Sequence, residues 1–270
     1  MTNPKNRHAH MVDDVLRTKP LIKAVHDSIS SGDIVVDIGT GLGILAIEAV
    51  RAGAKKVYAI ECEHASIEAA IANAEAEGVS SNIDFIEKLS FMTELPEKTD
   101  LIICETIGSF AFDENILSTL SDAKERFLKT DGQIIPSMLC LYAAGLSYTP
   151  EFEPPKDITT IDKNKIITDI VKISEVDFND NFESFIHEKI TFNCTRKGKI
   201  EAFALWPQIV WSKGNVTDAS PFKETTHWKQ GIIEVEHKDV TLNEKVSLEI
   251  IVAPHPDDPI TVTERMWKWI

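Results

Sequence analysis

Apolar and polar positions follow two different patterns along this chain of 270 residues. In the first half, short β-branched runs are separated by stretches with apolar residues at helical spacing, such as Ile67, Ile71 and Ala74. The strand candidates are residues 34–38, 56–60, 82–86, 99–104 and 133–136. Residues 11–29 predict helix on either side of Pro20, and Asp131-Gly132 predicts a turn. This rhythm predicts a mostly parallel sheet with helices on both faces.

After Pro136 the pattern changes to strand-like runs with few helical stretches. The runs cover residues 189–194, 202–206, 208–211, 232–237, 246–252 and 260–262. Arg196-Lys197-Gly198-Lys199 has the composition of a hairpin turn. Consecutive short strands predict an antiparallel sandwich or barrel, whose edges must be closed or covered. We therefore expect two domains, residues 1–136 and residues 137–270.

The composition is that of an ordinary soluble globular protein, with 43% hydrophobic and 26% charged residues. The apolar stretches are all shorter than the roughly 18–20 residues that a membrane helix needs. Residues 1–8 lack the apolar core of a signal peptide. These observations predict a cytoplasmic protein with no membrane partner. The four cysteines lack metal-binding spacing and the eight histidines form no paired ligand pattern, so we expect free thiols and no metal site.

The formal net charge of −15 argues against nucleic acid as a partner, because phosphate binding needs clustered lysines and arginines. An acidic surface suits a cationic substrate and favours its electrostatic capture. Many cytoplasmic enzymes are equally acidic for solubility alone, so the charge does not identify that substrate.

A glycine-rich turn follows the first strand candidate, in Asp37-Ile38-Gly39-Thr40-Gly41-Leu42-Gly43. Glycines let the backbone approach a ligand closely, and the helix that follows offers free N–H groups. The spacing differs from the dinucleotide fingerprint, in which the pyrophosphate sits on the helix N-terminus. About 20 residues later the second strand ends in Glu61, where a carboxylate can accept hydrogen bonds from ribose hydroxyls. This combination predicts a nucleoside-binding site.

Two glutamates, Glu105 and Glu114, follow the apolar run Leu101-Ile102-Ile103 and precede a helical pattern. They therefore lie on the loop that leaves a strand. Two carboxylates that converge on one point can hold a planar guanidinium by charge-assisted, bidentate hydrogen bonds. Acidic residues of an acidic protein are also commonly solvated surface groups, so the pair alone leaves both interpretations open.

Four segments in the same order resemble the motifs of the protein arginine methyltransferase family. Residues 8–18 are similar to its N-terminal H-x-x-M-L-x-D-x-x-R-T segment, and Val35 to Glu61 is similar to its cofactor motif. Glu105 and Glu114 fall on its double-E loop at the family spacing, and Thr226-His227-Trp228 falls on its THW loop. The resemblance covers nearly the whole chain. It implies a Rossmann-like class I methyltransferase domain followed by an antiparallel β-barrel, and S-adenosylmethionine-dependent transfer of a methyl group to a guanidino nitrogen.

The resemblance also assigns roles to single residues. Glu105 and Glu114 become the catalytic pair that binds the substrate guanidinium. His227 pairs with Asp14 and takes up the released proton, and Met11 lies beside the methyl-transfer site. Trp228 is assigned to the substrate site, or else it packs in the core. The cofactor contacts fall on His8, Arg17, Asp37, Gly39, Gly41, Gly43, Glu61 and Ser90, with Arg17 on the methionine carboxylate.

The chain departs from the family pattern at three places. Relatives carry an acid for the adenine amino group where this chain has Leu89-Ser90-Phe91-Met92, so Ser90 or stacking must hold adenine. Two aromatic residues after Glu105 are replaced in Thr106-Ile107-Gly108-Ser109. The dimerisation arm is short, which predicts a monomer or, as we favour, a homodimer with a different interface.

The acceptor stays open at this stage. It is a protein arginine, or a small guanidino compound such as free arginine. The alternatives are a methyltransferase of the same fold with another amine or hydroxyl acceptor, and an idle relative that binds only cofactor or a partner protein.

Overall fold

The structure is a computed structural model, and it describes residues 14–147, 158–255, 257–258 and 263–270. The helices of this part are α1 Val15–Ser28, α2 Ile44–Ala52, α3 His64–Ala76 and α4 Ile116–Phe127. The first five strands are β1 Ile34–Ile38, β2 Lys56–Glu61, β3 Ile83–Glu87, β4 Thr99–Cys104 and β5 Leu128–Ile135. Nine further strands follow: β6 Met138–Leu146, β7 Ile158–Thr159, β8 Val171–Asp177, β9 Ile186–Asn193, β10 Gly198–Ser212, β11 Asn215–Asp218, β12 Gln230–Val240, β13 Lys245–Pro254 and β14 Thr263–Trp269. None of the helices within these described ranges has the length and apolar character of a membrane span.

The first five strands form a parallel sheet in the order β3-β2-β1-β4-β5. Strand β1 is central and all five of its residues are buried, with Val35 opposite both Val57 of β2 and Leu101 of β4. A strand covered on both faces has no polar side to expose, which explains the continuous apolar runs in the sequence. The strand order reverses between β1 and β4, and ligands of open α/β sheets bind at the carboxyl ends of the strands at such a point.

Helix α1 joins the parallel sheet to the strands that follow. Asp14 caps it, because one carboxylate oxygen accepts hydrogen bonds from the backbone N–H groups of Leu16 and Arg17. The sequence predicts helix on either side of Pro20, and the structure has one helix that continues through it. Proline cannot donate to the carbonyl of Leu16, which instead accepts from the hydroxyl of Thr217 at 3.5 Å. Asn215 of β11 donates to the carbonyl of Pro20 at 2.6 Å.

The later strands form two antiparallel sheets. One sheet has the order β7-β12-β10-β6-β8, with β11 paired to β10, and the other has the order β14-β13-β9. The Phe203 ring of β10 lies 4.8 Å from the Phe192 ring of β9 and 5.6 Å from the Trp269 ring of β14, so the two sheets share a core. A Rossmann-like parallel domain followed by an antiparallel sheet domain confirms the predicted fold class. The predicted boundary at 136/137 falls between β5 and β6.

Two local predictions are wrong. Asp131-Gly132 does not form a turn, because it lies inside β5 where the pairing with β4 shifts register between Thr99 and Leu101. The Arg196–Lys199 segment joins β9 to β10, but these strands belong to different sheets and do not form a hairpin. The strand candidate at residues 260–262 lies outside the described residues.

Candidate active site

A cavity of about 630 Å³ opens at the carboxyl ends of β1, β2 and β4. Volumes of this size hold small-molecule and cofactor ligands. Its walls come from α1, the glycine-rich turn (residues 39–43), the end of β2, the double-E loop (residues 105–114) and the THW loop (residues 226–228). Among the predicted site residues, the lining includes Arg17, Gly39, Gly41, Glu61, Glu105, Glu114, His227 and Trp228.

The glycine-rich turn brings backbone to the cavity wall. Gly39 and Gly41 have φ angles of +72° and +55°, a region that side chains rarely adopt. A Cβ atom on Gly39 would lie 3.1 Å from the Thr106 side chain. Gly43 also has a positive φ, of +78°, but it does not line the cavity. A Cβ there would meet the Cβ of Ala70 at 3.0 Å, so Gly43 allows α2 to pack closely on α3.

Asp37 lies beneath this turn and not on the cavity wall. Its carboxylate is buried and accepts a hydrogen bond from the Thr40 hydroxyl at 2.5 Å. Burial raises the pKa of Asp37 to about 7, against the lowering effect of the bonds from Thr40 and from the backbone of Ala46. The structure therefore places Asp37 as a support of the turn.

Glu61 holds the other side of the turn and faces the cavity. One carboxylate oxygen accepts from the backbone N–H of Gly41 at 3.1 Å. The other accepts from the N–H groups of Cys62 and Glu63 at 2.8 and 2.9 Å. These bonds fix a carboxylate at the end of β2, where the sequence predicts the ribose acceptor.

Arg17 and Glu105 form an ion pair across the cavity wall. Their side chains are only 14% and 7% exposed, so water screens this pair weakly. Burial lowers the pKa of Arg17 to about 10, against the raising effect of Asp14 and Glu114, and the guanidinium stays charged at neutral pH. The resemblance to the family assigns Arg17 to the cofactor and Glu105 to the substrate, whereas here the two side chains contact each other. Glu105 thus holds a guanidinium supplied by the chain itself.

The double-E loop turns back on itself and brings its second glutamate to the same cavity. The N–H of Ala111 donates to the carbonyl of Gly108 at 3.0 Å, and Ala111 has a φ of +63°. Glu114 follows this turn and is exposed. Both glutamates therefore face one cavity, as their spacing predicts.

His227 and Asp14 are also in contact, as the resemblance implies. The second oxygen of Asp14 accepts from the His227 backbone N–H at 2.8 Å and lies 3.2 Å from its Nδ1. The pKa of His227 is lowered to about 4, first by burial and then by the positive charge of Arg17, against the raising effect of Asp14. Burial tends to raise the pKa of Asp14, but the hydrogen bonds from His227 and from the backbone N–H of Arg17 together lower it. The imidazole is therefore neutral at neutral pH.

We expect the His227 imidazole to remain neutral at pH 6.0, where an ordinary histidine with a pKa of 6.5 is mostly protonated. Arg17→Met should raise its pKa, because a positive charge is removed, and Asp14→Asn should lower it further. Nitrogen chemical shifts of labelled histidine, assigned by their loss in His227→Gln, measure this protonation. A parent imidazole that titrates near 6.5 would contradict the geometry described here.

Trp228 joins the THW loop to the double-E loop. Its side chain is 2% exposed, and its indole N–H donates to the carbonyl of Ile107 at 2.6 Å. In return, the Ser109 hydroxyl donates to the carbonyl of Trp228 at 2.5 Å. In the comparison with the family motif, Ser109 is only the replacement of an aromatic residue. Its role depends on a partner 119 positions away, and no local pattern signals that contact.

We expect Trp228→Phe to lower the free energy of unfolding by about 1–3 kcal/mol, because the buried carbonyl of Ile107 loses its donor. Trp267→Phe is the matched control, since its indole donates to the carbonyl of Glu234 from a side chain that is 37% exposed. Denaturant unfolding of both variants measures the difference. Equal losses of unfolding free energy in the two variants would show that the buried hydrogen bond of Trp228 stabilises the fold no more than the exposed one of Trp267.

Two family models match consecutive parts of the chain. Residues 17–140 match the model described as ribosomal protein L11 methyltransferase, and residues 138–267 match the arginine methyltransferase oligomerization subdomain. Protein arginine N-methyltransferase 6 of Danio rerio is 28% identical over 93% of this chain and 82% of its own length. Protein arginine N-methyltransferase 1 of Schizosaccharomyces pombe is 28% identical over 87% and 77%.

The chain belongs to the protein arginine methyltransferase family. Two solved members of similar fold are the Trypanosoma brucei PRMT1 enzyme-prozyme heterotetrameric complex with AdoHcy and Arabidopsis thaliana protein arginine methyltransferase 10. Their TM-scores are 0.84 and 0.83 at 18% and 19% identity, and each comparison covers 98% of this chain. The first comparison covers 98% of the solved chain and the second covers 97%.

The remaining family-assigned residues do not reach the cavity or are not described. Ser90 is buried in a 3-10 helix, Ser90–Met92, away from the cavity wall, and its carbonyl accepts from Arg126 at 2.7 Å. His8 and Met11 lie outside the described residues. Thr106 and Asp113 line the cavity although no motif singles them out.

Proposed function

We propose that this member of the family transfers the methyl group of S-adenosylmethionine to a nitrogen of a guanidino group. One observation carries the proposal above all: Glu105, at the carboxyl end of β4, holds the guanidinium of Arg17 in a cavity that Glu114 also faces. Glu105 already binds one guanidinium, and Glu114 adds a second carboxylate to the same cavity, so the site has the charge to bind a substrate guanidinium.

The cavity wall fits the cofactor. Glu61 offers carboxylate oxygens suited to ribose hydroxyls, and the positive φ angles of Gly39 and Gly41 let a nucleoside approach the backbone. Arg17 supplies a positive charge for the amino-acid carboxylate. When bound, the cofactor provides an electrophilic methyl group on a sulfonium.

Glu105 and Glu114 act on the acceptor. A guanidinium has a pKa above about 12 and delocalised nitrogens, so it is a poor nucleophile in water. Two carboxylates fix its plane and draw positive charge away from the attacking nitrogen. This electrostatic effect strengthens as substrate and cofactor exclude water from the cavity.

His227 takes up the proton that the methylated nitrogen releases. Its pKa of about 4 keeps the imidazole neutral but makes it a weak base, and the bond from Nδ1 to Asp14 leaves Nε2 as the acceptor. Proton removal need not precede methyl transfer, so this role is secondary to that of the glutamates.

The acceptor class that the relatives favour is protein arginine. The curated proteins from Danio rerio and Schizosaccharomyces pombe are named protein arginine N-methyltransferases. A small guanidino compound, such as free arginine, is the second candidate.

A screen with deuterated cofactor compares three acceptors: an arginine-rich peptide, the same peptide with lysine in place of arginine, and free arginine. Label on arginine supports the proposal; label only on lysine assigns another acceptor. Cofactor binding without any labelled product favours an idle relative.

A cytoplasmic homodimer completes the proposal. Residues 138–267 match a model described as an oligomerization subdomain, which supports assembly, although part of the arm region lies outside the described residues. We expect active enzyme to sediment at about 60 kDa, twice the chain mass of 30.1 kDa. Sedimentation at assay concentration measures this, and an active species at the chain mass would overturn the dimer while leaving the chemistry intact.

A further inference from the structure

Side chains of β14 contact the half of the double-E loop that carries Glu114. The guanidinium carbon of Arg265 lies 4.2 Å from the centre of the Phe110 ring, and its Nη1 lies 3.9 Å from a carboxylate oxygen of Asp113. Two residues earlier on the strand, the hydroxyl of Thr263 accepts from the backbone N–H of Asn115 at 3.1 Å. The C-terminal strand thus touches the loop on both sides of Glu114.

Asp113 closes the turn in front of Glu114. One of its carboxylate oxygens accepts from the N–H of Phe110 at 3.2 Å. The carboxylate also covers Gly108, where an added Cβ would lie 2.0 Å from it. Asp113 is therefore tied to the backbone of the turn, and Glu114 is the next residue along the chain.

Phe110 is held from two sides. The Arg265 guanidinium lies over the Phe110 ring. The backbone of Gly231 in β12 also lies against this ring, since a Cβ atom at Gly231 would be 2.7 Å from two ring carbons. A cation within about 6 Å of an aromatic face is attracted to it. The ring therefore has little freedom to shift, and the turn that contains it shares this restraint.

We propose that Arg265 is a positioning residue that fixes Glu114 relative to Glu105. Trp228 and Ser109 anchor the half of the loop next to Glu105, and Arg265 anchors the half next to Glu114 through Phe110 and Asp113. The backbone of this second half is unusual, because Ala111 and Asn115 have φ angles of +63° and +59°. Such conformations persist only where surrounding contacts enforce them. The inference rests on the proposed function, because it assigns the second glutamate's position to a named contact.

The test compares Arg265→Met and Arg265→Lys with Lys268→Met. Lys268 is a cation on the same strand, but it pairs with Glu249 away from the loop. With an arginine-rich peptide, Arg265→Met should lower kcat by about 10- to 100-fold, because small misplacements of catalytic groups have effects of this size. Calorimetry should give cofactor affinity like that of the parent. Arg265→Lys keeps the charge and should recover part of the loss, and Lys268→Met should behave as the parent does.

Two further measurements separate positioning from a general structural role. When Glu114→Gln is already present, adding Arg265→Met should decrease kcat further by less than about twofold. The reason is that the effects of residues that act as a unit are not additive. Amide exchange of residues 105–115 should rise in Arg265→Met and not in Lys268→Met. Parent-like kcat in Arg265→Met overturns the inference, and so does a full additional loss in the Glu114→Gln background. If Glu114→Gln alone leaves turnover unchanged, it is the proposed function that fails. In that case the amide exchange of residues 105–115 still tests the contact, and unchanged exchange in Arg265→Met overturns the positioning role.

Discussion

Replacing Glu114 by glutamine should lower turnover by roughly 100- to 1000-fold while cofactor affinity stays close to that of the parent, since single groups that stabilise transition-state charge contribute effects of this size. Glutamine keeps the shape of the side chain but removes its charge. Glu114 faces the cavity and is exposed, so the substitution leaves no void in the core. Glu105→Gln should have a similar effect on turnover, and it also releases Arg17 from its ion pair.

Steady-state turnover and calorimetric cofactor binding, measured on the same preparations, separate the possible outcomes. Glu125→Gln is the control, because it removes a carboxylate from the exposed surface of α4. Wild-type turnover in both active-site variants would exclude the guanidinium role. Loss of cofactor binding together with turnover would instead assign the glutamates to the structure of the site.

Changes to the glycine-rich turn and Glu61 should act on the cofactor and not on the acceptor. Gly41→Val places a branched side chain at a φ of +55°, in backbone that the cofactor must approach. Glu61→Ala removes the proposed ribose acceptor and also frees the N–H groups of Gly41, Cys62 and Glu63. Loss of one charged hydrogen bond costs about 1.5–3 kcal/mol, or roughly 10- to 150-fold in cofactor affinity.

Gly214→Val controls for backbone strain alone. Gly214 has a φ of +77° and a Cβ there would meet nothing within 4 Å, so this change strains a turn away from the cavity. Its cofactor affinity should equal that of the parent. Parent-like binding in both Gly41→Val and Glu61→Ala would mean that the cofactor binds elsewhere.

The parallel sheet and its ligand edge are predictable from the sequence, because buried parallel strands are continuous apolar runs. The polar and charged residues that follow those runs must then lie at the carboxyl ends of the strands. Glu61 and Glu105 are found in this way. The contact between His227 and Asp14 links residues 213 positions apart, and only the resemblance to a known family predicts it.

Other features depend on packing that a linear pattern does not contain. β9 and β10 are adjacent in sequence yet lie in different sheets, because β9 pairs with β13 whereas β10 pairs with β6, β11 and β12. Gly43 matches the cofactor motif, but its environment is the helix α3. The ion pair between Arg17 and Glu105 joins residues 88 positions apart, and it brings together two side chains that the family resemblance assigns to different ligands.

The most direct measurement follows deuterated methyl from S-adenosylmethionine into a peptide that contains arginine, lysine and serine. Tandem mass spectrometry then locates the label in products of the parent enzyme and of Glu114→Gln. The proposal predicts label on the arginine guanidino group with the parent, and a large loss of that label with Glu114→Gln. Label on lysine or serine, or equal arginine labelling by the two enzymes, would contradict it.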